Sequence, residues 1–148
     1  MSIFLRPTIT AFLCLLMALS ITRFSIAEDA KPANTPQGKI EVLLVDGQNN
    51  HDWKRCSPVM MATLEATGRF NIERATVSKS QVADFSPDFT KYDVVLSNYN
   101  GASWPEKTKA AFVKYIQNGG SLVVVHAADN SFPKWKEFNE MIGLGGWG

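Results

Sequence analysis

The sequence predicts an α/β domain, an open parallel sheet with helices on both faces. Three observations lead there. From Lys39 onward short apolar runs alternate with stretches of helical spacing. The runs are rich in β-branched residues, and the first is mostly apolar, as in a strand covered on both sides. The segments following these runs are loops of Asn, Asp, His and Gly, which break strands and carry function in such folds.

Taken in order, Ile40 to Val45 reads as the first strand, and Asp46 to Asp52 breaks it with turn formers. Ser57-Pro58 has the form of an N-cap followed by proline, so the first helix is expected from there to a stop at Gly68. Phe70 to Val77 alternates, which suits a strand near the sheet edge. Ser78 to Lys91 is polar and irregular, with at most a helical turn around Val82. Tyr92 to Ser97 is the third strand, and Pro105 starts a second helix. In that helix Ala111, Phe112, Tyr115 and Ile116 share a face, while Lys107, Lys109 and Lys114 are expected to face water. Gly119 supplies its stop. Ser121 to Val125 is the most apolar run and is expected at the centre of the sheet. Pro133 to Ile142 is a third helical segment.

Right-handed crossovers turn this order into a flavodoxin-like sheet with strand order 2-1-3-4. Ligands in such sheets bind beyond the carboxyl ends of the strands. That rule selects three loops: Gly47 to Trp53, Asn98 to Trp104 and His126 to Phe132.

Ahead of the domain, Arg6 and the uncharged apolar stretch Ile9 to Ile21 have the form of an export signal. Ser25 and Ala27 place small residues at −3 and −1 of a cut after Ala27. The apolar stretch is shorter than the roughly 20 residues a membrane-spanning helix needs, so cleavage rather than anchoring is expected, and with it a secreted or periplasmic location. Residues 28–38 read as a flexible spacer and 39–148 as the domain. The formal charge is +1 with both signs interspersed, so no basic stripe for nucleic acid and no polybasic membrane patch is present. Cys56 is the one cysteine left after the cut, which excludes an internal disulfide.

His51 and Asp52 stand in the first loop beside Asn49 and Asn50, where a histidine can act as acid/base or bind metal and the amides suit a polyol. An exposed turn histidine is the plain alternative. His126 ends the fourth strand, at the position where open-sheet hydrolases and amidotransferases hold a nucleophile on a sharp turn. Ala127 and Ala128 supply the small flanks, but no Ser or Cys stands at the tip, so nucleophilic acyl transfer is not expected. His126, with Asp129 following, reads as acid/base or metal ligand, or else as a satisfied core histidine. Two histidines fall short of the three or four ligands of a usual metal site. Trp53, Trp104 and Asn98 are candidates for contact with a sugar ring, and packing anchors explain the tryptophans equally well.

Taken together, Val42-Leu-Leu-Val-Asp-Gly-Gln-Asn-Asn-His-Asp-Trp53, Tyr92-Asp-Val-Val-Leu-Ser-Asn98 and Gly119-Gly-Ser-Leu-Val-Val-Val-His-Ala-Ala-Asp129, followed by Phe132, Trp135, Phe138 and Ile142-Gly143, resemble the ThuA-like (trehalose-utilisation) family. The resemblance covers nearly all of Lys39 to Gly148. It implies a class I glutamine amidotransferase-like fold without the amidotransferase cysteine, a carbohydrate ligand, and His51 and His126 as the family's two histidines in this half. A divalent metal on these two residues is one cofactor compatible with it. It also implies that the domain is cut short, because members of the family continue with further strands past this block; the strand ending at His126 is then expected to be partly uncovered. The expected role is action on a sugar or sugar derivative. The alternatives are a non-catalytic carbohydrate-binding or accessory module, or an inactive fragment.

Overall fold

A computed structural model describes residues 38–143. The expected export segment and nearly all of the spacer lie outside the described residues, as do residues 144–148. Among the described residues no helix is long and apolar enough to cross a membrane.

Four parallel strands, β1 (Ile40–Asp46), β2 (Phe70–Thr76), β3 (Val94–Ser97) and β4 (Ser121–Val124), lie in the order β2-β1-β3-β4. The helices are α1 (Trp53–Glu65), α2 (Glu106–Gln117) and α3 (Lys136–Ile142). Because strand side chains alternate, β1 divides its apolar residues between two cores. Val42 and Leu44 pack with Leu96 against Met60, Met61 and Leu64 of α1. Leu43 and Val45 face the other way, onto Phe112 and Tyr115 of α2 and Phe138 of α3. The sheet therefore has helices on both faces, as the continuous apolar run of β1 requires.

The second core is aromatic. Trp104, only 2% exposed, lies within 5.0–6.2 Å, ring centre to ring centre, of Phe85, Phe89, Tyr99, Phe112, Phe132 and Trp135. Phe85 and Phe89 come from the segment that reads as polar in sequence. There two short 3₁₀ turns, Val82–Asp84 and Phe89–Lys91, replace the single expected one and turn both rings inward.

Four expectations need correction. Helix α1 starts a turn earlier than Ser57, with Asp52 as N-cap accepting from the Arg55 N–H at 3.3 Å. Ser57 is instead buried inside the helix and faces the end of β3, and Pro58 sits in the helix, where it cannot donate to the Lys54 carbonyl. Ala111 is exposed, and Thr108 takes its place on the buried face of α2. Lys109 does not simply face water: it pairs with Glu106 at 2.8 Å and lies 5.7 Å over the Trp135 ring. Finally, β4 is an edge strand among the described residues rather than the central one, and its Val123 is 48% exposed. Its apolar run reflects one face packed on the aromatic core, through Leu122 and Val124, and one face open.

Candidate functional site

The loops after β1, β3 and β4 meet at the carboxyl end of the sheet. Gly47 opens the first at φ +113°, where a β-carbon would lie 2.4 Å from the Val77 backbone, so the chain passes β2 only because no side chain is present. Gln48 then ties three elements together. Its amide donates to the Val77 carbonyl (3.2 Å) and the Tyr99 hydroxyl (2.9 Å), and its oxygen accepts from the Ala102 N–H (3.0 Å). Tyr99 donates onward to the Ala102 carbonyl at 2.7 Å, and burial pushes its phenol up to about 12.

Next along the loop, the Asn49 side-chain amide donates to both the carbonyl (3.2 Å) and the side-chain oxygen (3.1 Å) of Asn98. The Asn49 oxygen accepts from the His51 N–H at 2.9 Å. Asn98, 5% exposed, donates in turn to Ser57 Oγ at 3.0 Å. On the other side of β3, the Val125 N–H donates to the Ser97 carbonyl at 2.9 Å, and Ser131 Oγ donates to the Tyr99 carbonyl.

These bonds bring His51 and His126 together. Their ring centroids are 4.5 Å apart at an interplanar angle of 77°, one edge to the other's face, and both side chains are exposed. His126 has φ +47°, in the left-handed region where non-glycine residues are uncommon. The chain turns sharply there into a 3₁₀ turn, His126–Asn130, lined by the buried Ala127 and Ala128. The geometry is that of a strand-end elbow with an imidazole at its tip. Strained, exposed and polar residues of this kind point to function rather than packing.

The remaining candidates fall into different places. Asn49 and Asn98 belong to the bonds that hold the loops, so their amides serve the protein before any ligand. Asn50 is exposed beside His51, and Asp129 is half-buried three residues past His126. Asp52, exposed beside His51, caps α1 by accepting from the Arg55 N–H. Trp53 packs under two cations, with Lys54 at 5.7 Å and Arg74 at 5.8 Å from the ring centre. Trp104 is sealed in the aromatic core and cannot stack on a sugar. Cys56 is free and exposed on α1. A metal on the histidines lacks further protein donors here: among the described residues no group of three or more His, Cys, Asp or Glu is placed to hold one.

The sequence reading missed Gln48, Ser57 and the pair Asp46–Arg74. Asp46 is fully buried and accepts from Arg74 Nε (2.8 Å) and Thr76 Oγ1 (2.8 Å). Parallel register sets Asp46 against Thr76, and the even spacing of Arg74 and Thr76 on β2 was the signal available for it. A hollow of about 610 Å³ opens at the opposite end of the sheet, between Tyr92, Lys114 and Ser121, at the amino ends of β3 and β4. It is remote from the histidines, and strand-end chemistry favours the carboxyl end.

No curated protein matches the chain. Among solved structures, it is similar to a ThuA-like protein from Parabacteroides merdae, at 45% identity and a TM-score of 0.70, over 74% of this chain and 40% of that one. A ThuA-like protein from Bacteroides uniformis shares the fold at 21% identity and a TM-score of 0.54, over 76% of this chain and 47% of that one. The chain thus spans less than half the length of either. The profile of the family described as ThuA, trehalose utilisation, matches residues 41–146, and with that match over most of its length the chain belongs to the ThuA family.

Proposed function

We propose that this protein is exported and acts on a sugar or sugar derivative, with His51 and His126 as its acid/base pair. One observation carries the reading: two exposed imidazoles from different loops, 4.5 Å apart, at the end of the sheet where such folds bind ligands. Imidazole changes charge near neutral pH, so one ring of such a pair can accept a proton from an attacking hydroxyl while the other donates one to a leaving oxygen. The family description, trehalose utilisation, supports a carbohydrate substrate, and the apolar leader with small residues before Glu28 supports export.

The test uses the full chain and trehalose, with a panel of other glycosides beside it. Turnover by His51→Ala and His126→Ala is expected to fall by about 100-fold or more, while calorimetric sugar affinity stays within a few-fold of wild type. Wild-type turnover that survives both substitutions would sink the proposal. Sugar binding without turnover in the wild-type chain would instead favour a binding module. Protein recovered outside the cytoplasm should begin at Glu28.

A further inference from the structure

We infer that Asn98, at the end of β3, is a positioning residue that sets the spacing of the two imidazoles. The inference rests on the catalytic reading of the histidine pair and adds to it the device that assembles the pair. His51 follows β1 and His126 follows β4, and β3 lies between those strands. Neighbouring strands are about 4.8 Å apart, so β1 and β4 are separated by roughly 9.6 Å. The ring centroids are only 4.5 Å apart. The two side chains therefore reach toward each other over the end of β3.

Three consecutive residues there hold them. The carbonyls of Ser97 and Tyr99 take bonds from Val125 and Ser131, fixing the His126 loop on either side of the histidine. Between them, Asn98 accepts twice from the Asn49 amide, and Asn49 grips the His51 N–H. Ser57, on α1, receives the Asn98 amide N–H and so turns its oxygen toward Asn49. Asn49 is thus held by one main-chain and one side-chain oxygen of Asn98, beside the main-chain bond from Asn100 to Gln48 (2.8 Å), whereas the His126 loop is held by main-chain acceptors alone.

Asn49→Asp separates this role from simple turn stability. An aspartate keeps the oxygen that accepts from the His51 N–H, since Asp and Asn both form such turns, but presents a second acceptor to the two Asn98 oxygens. The untagged chain contains only two histidines, so its imidazole NMR signals come from these two rings alone. The ring-to-ring nuclear Overhauser cross-peak is expected to be strong in wild type. It is expected to fall several-fold in Asn49→Asp and Asn98→Ala, with turnover falling in Asn49→Asp at nearly unchanged KM. A wild-type cross-peak in Asn49→Asp overturns the inference, and that variant decides alone should Asn98→Ala fail to fold. The ring signal needs no substrate. A wild-type chain that turns over no sugar therefore overturns the catalytic reading, while the cross-peak still decides on positioning.

Discussion

At the scale of single residues, His126 combines backbone strain with exposure. A non-glycine residue in the left-handed region costs on the order of 1 kcal/mol, and such strain persists where the surroundings hold it for function. His126→Gly relieves it. The thermal midpoint is expected to rise by about 4 °C, the shift that about 1 kcal/mol produces in a domain of this size, while turnover is lost. An unchanged or lower midpoint would mean that the ring contact with His51 outweighs the strain. The tyrosines give a second prediction. Burial pushes Tyr99 up to about 12, and burial with the hydrogen bond to Glu73 does the same for Tyr92. In the unfolded chain both phenols ionise near 10, so between about pH 10 and 12 the folded state holds protons that the unfolded state has released. Their contribution to stability is present in full below pH 10 and is lost as pH rises toward 12. Denaturant unfolding across that range should show the loss, reduced in Tyr92→Phe.

Among the elements, the connection between β2 and β3 does more than link strands. Its two 3₁₀ turns bring Phe85 and Phe89 against Trp104, which closes the aromatic core from the loop after β3. Trp104→Ala is expected to cost about 3–5 kcal/mol, as for other buried tryptophans, measured by denaturant unfolding. Trp104→Phe should cost far less, because it keeps an aromatic ring there and removes a buried indole N–H that has no partner. Sugar affinity of the folded Trp104→Phe chain should match wild type. A clear drop there would place this ring back at the ligand. Ser57-Pro58 carries a related lesson. Serine before proline is a good local helix start, but Asp52 caps the chain one turn earlier and Asn98 needs the Ser57 hydroxyl inside the helix.

For the molecule as a whole, the described sheet is asymmetric. On one face α1 packs against β1 and β2, and on the other α2 and α3 cover the aromatic core. β4 borders one strand only among the described residues and leaves Val123 open beside a free edge. Unpaired apolar edges pair with other chains, and a lysine on such an edge opposes that. Val123→Lys is expected to lower concentration-dependent light scattering while changing stability by no more than about 0.5 kcal/mol. Scattering that stays unchanged would show that self-association, if present, uses another surface. The match covers less than half of either structural neighbour, so the activity of a whole ThuA protein is assigned only as a proposal.

Much of this was legible from sequence because it is local. The run Ile40 to Val45, apolar but for Glu41, permits little other than a strand covered on both faces, and the alternation of Phe70 to Val77 marks an edge. The Asn/His loops after the strands and the left-handed stop at Gly119 follow from residue type alone. Tertiary structure alone decided the rest. An asparagine amide bonds a sugar or a neighbouring loop with the same chemistry, so only proximity shows that Asn49 and Asn98 brace the loops. A tryptophan before a helix can be sealed or open, and Phe85 and Phe89 sealed Trp104. Likewise, an apolar strand reads as central whether or not another strand borders it, so hydropathy could not place β4. The meeting of His51 and His126 is of this second kind. The two residues are far apart in sequence and follow non-adjacent strands, and their rings meet over the end of β3, where three residues bond to both loops.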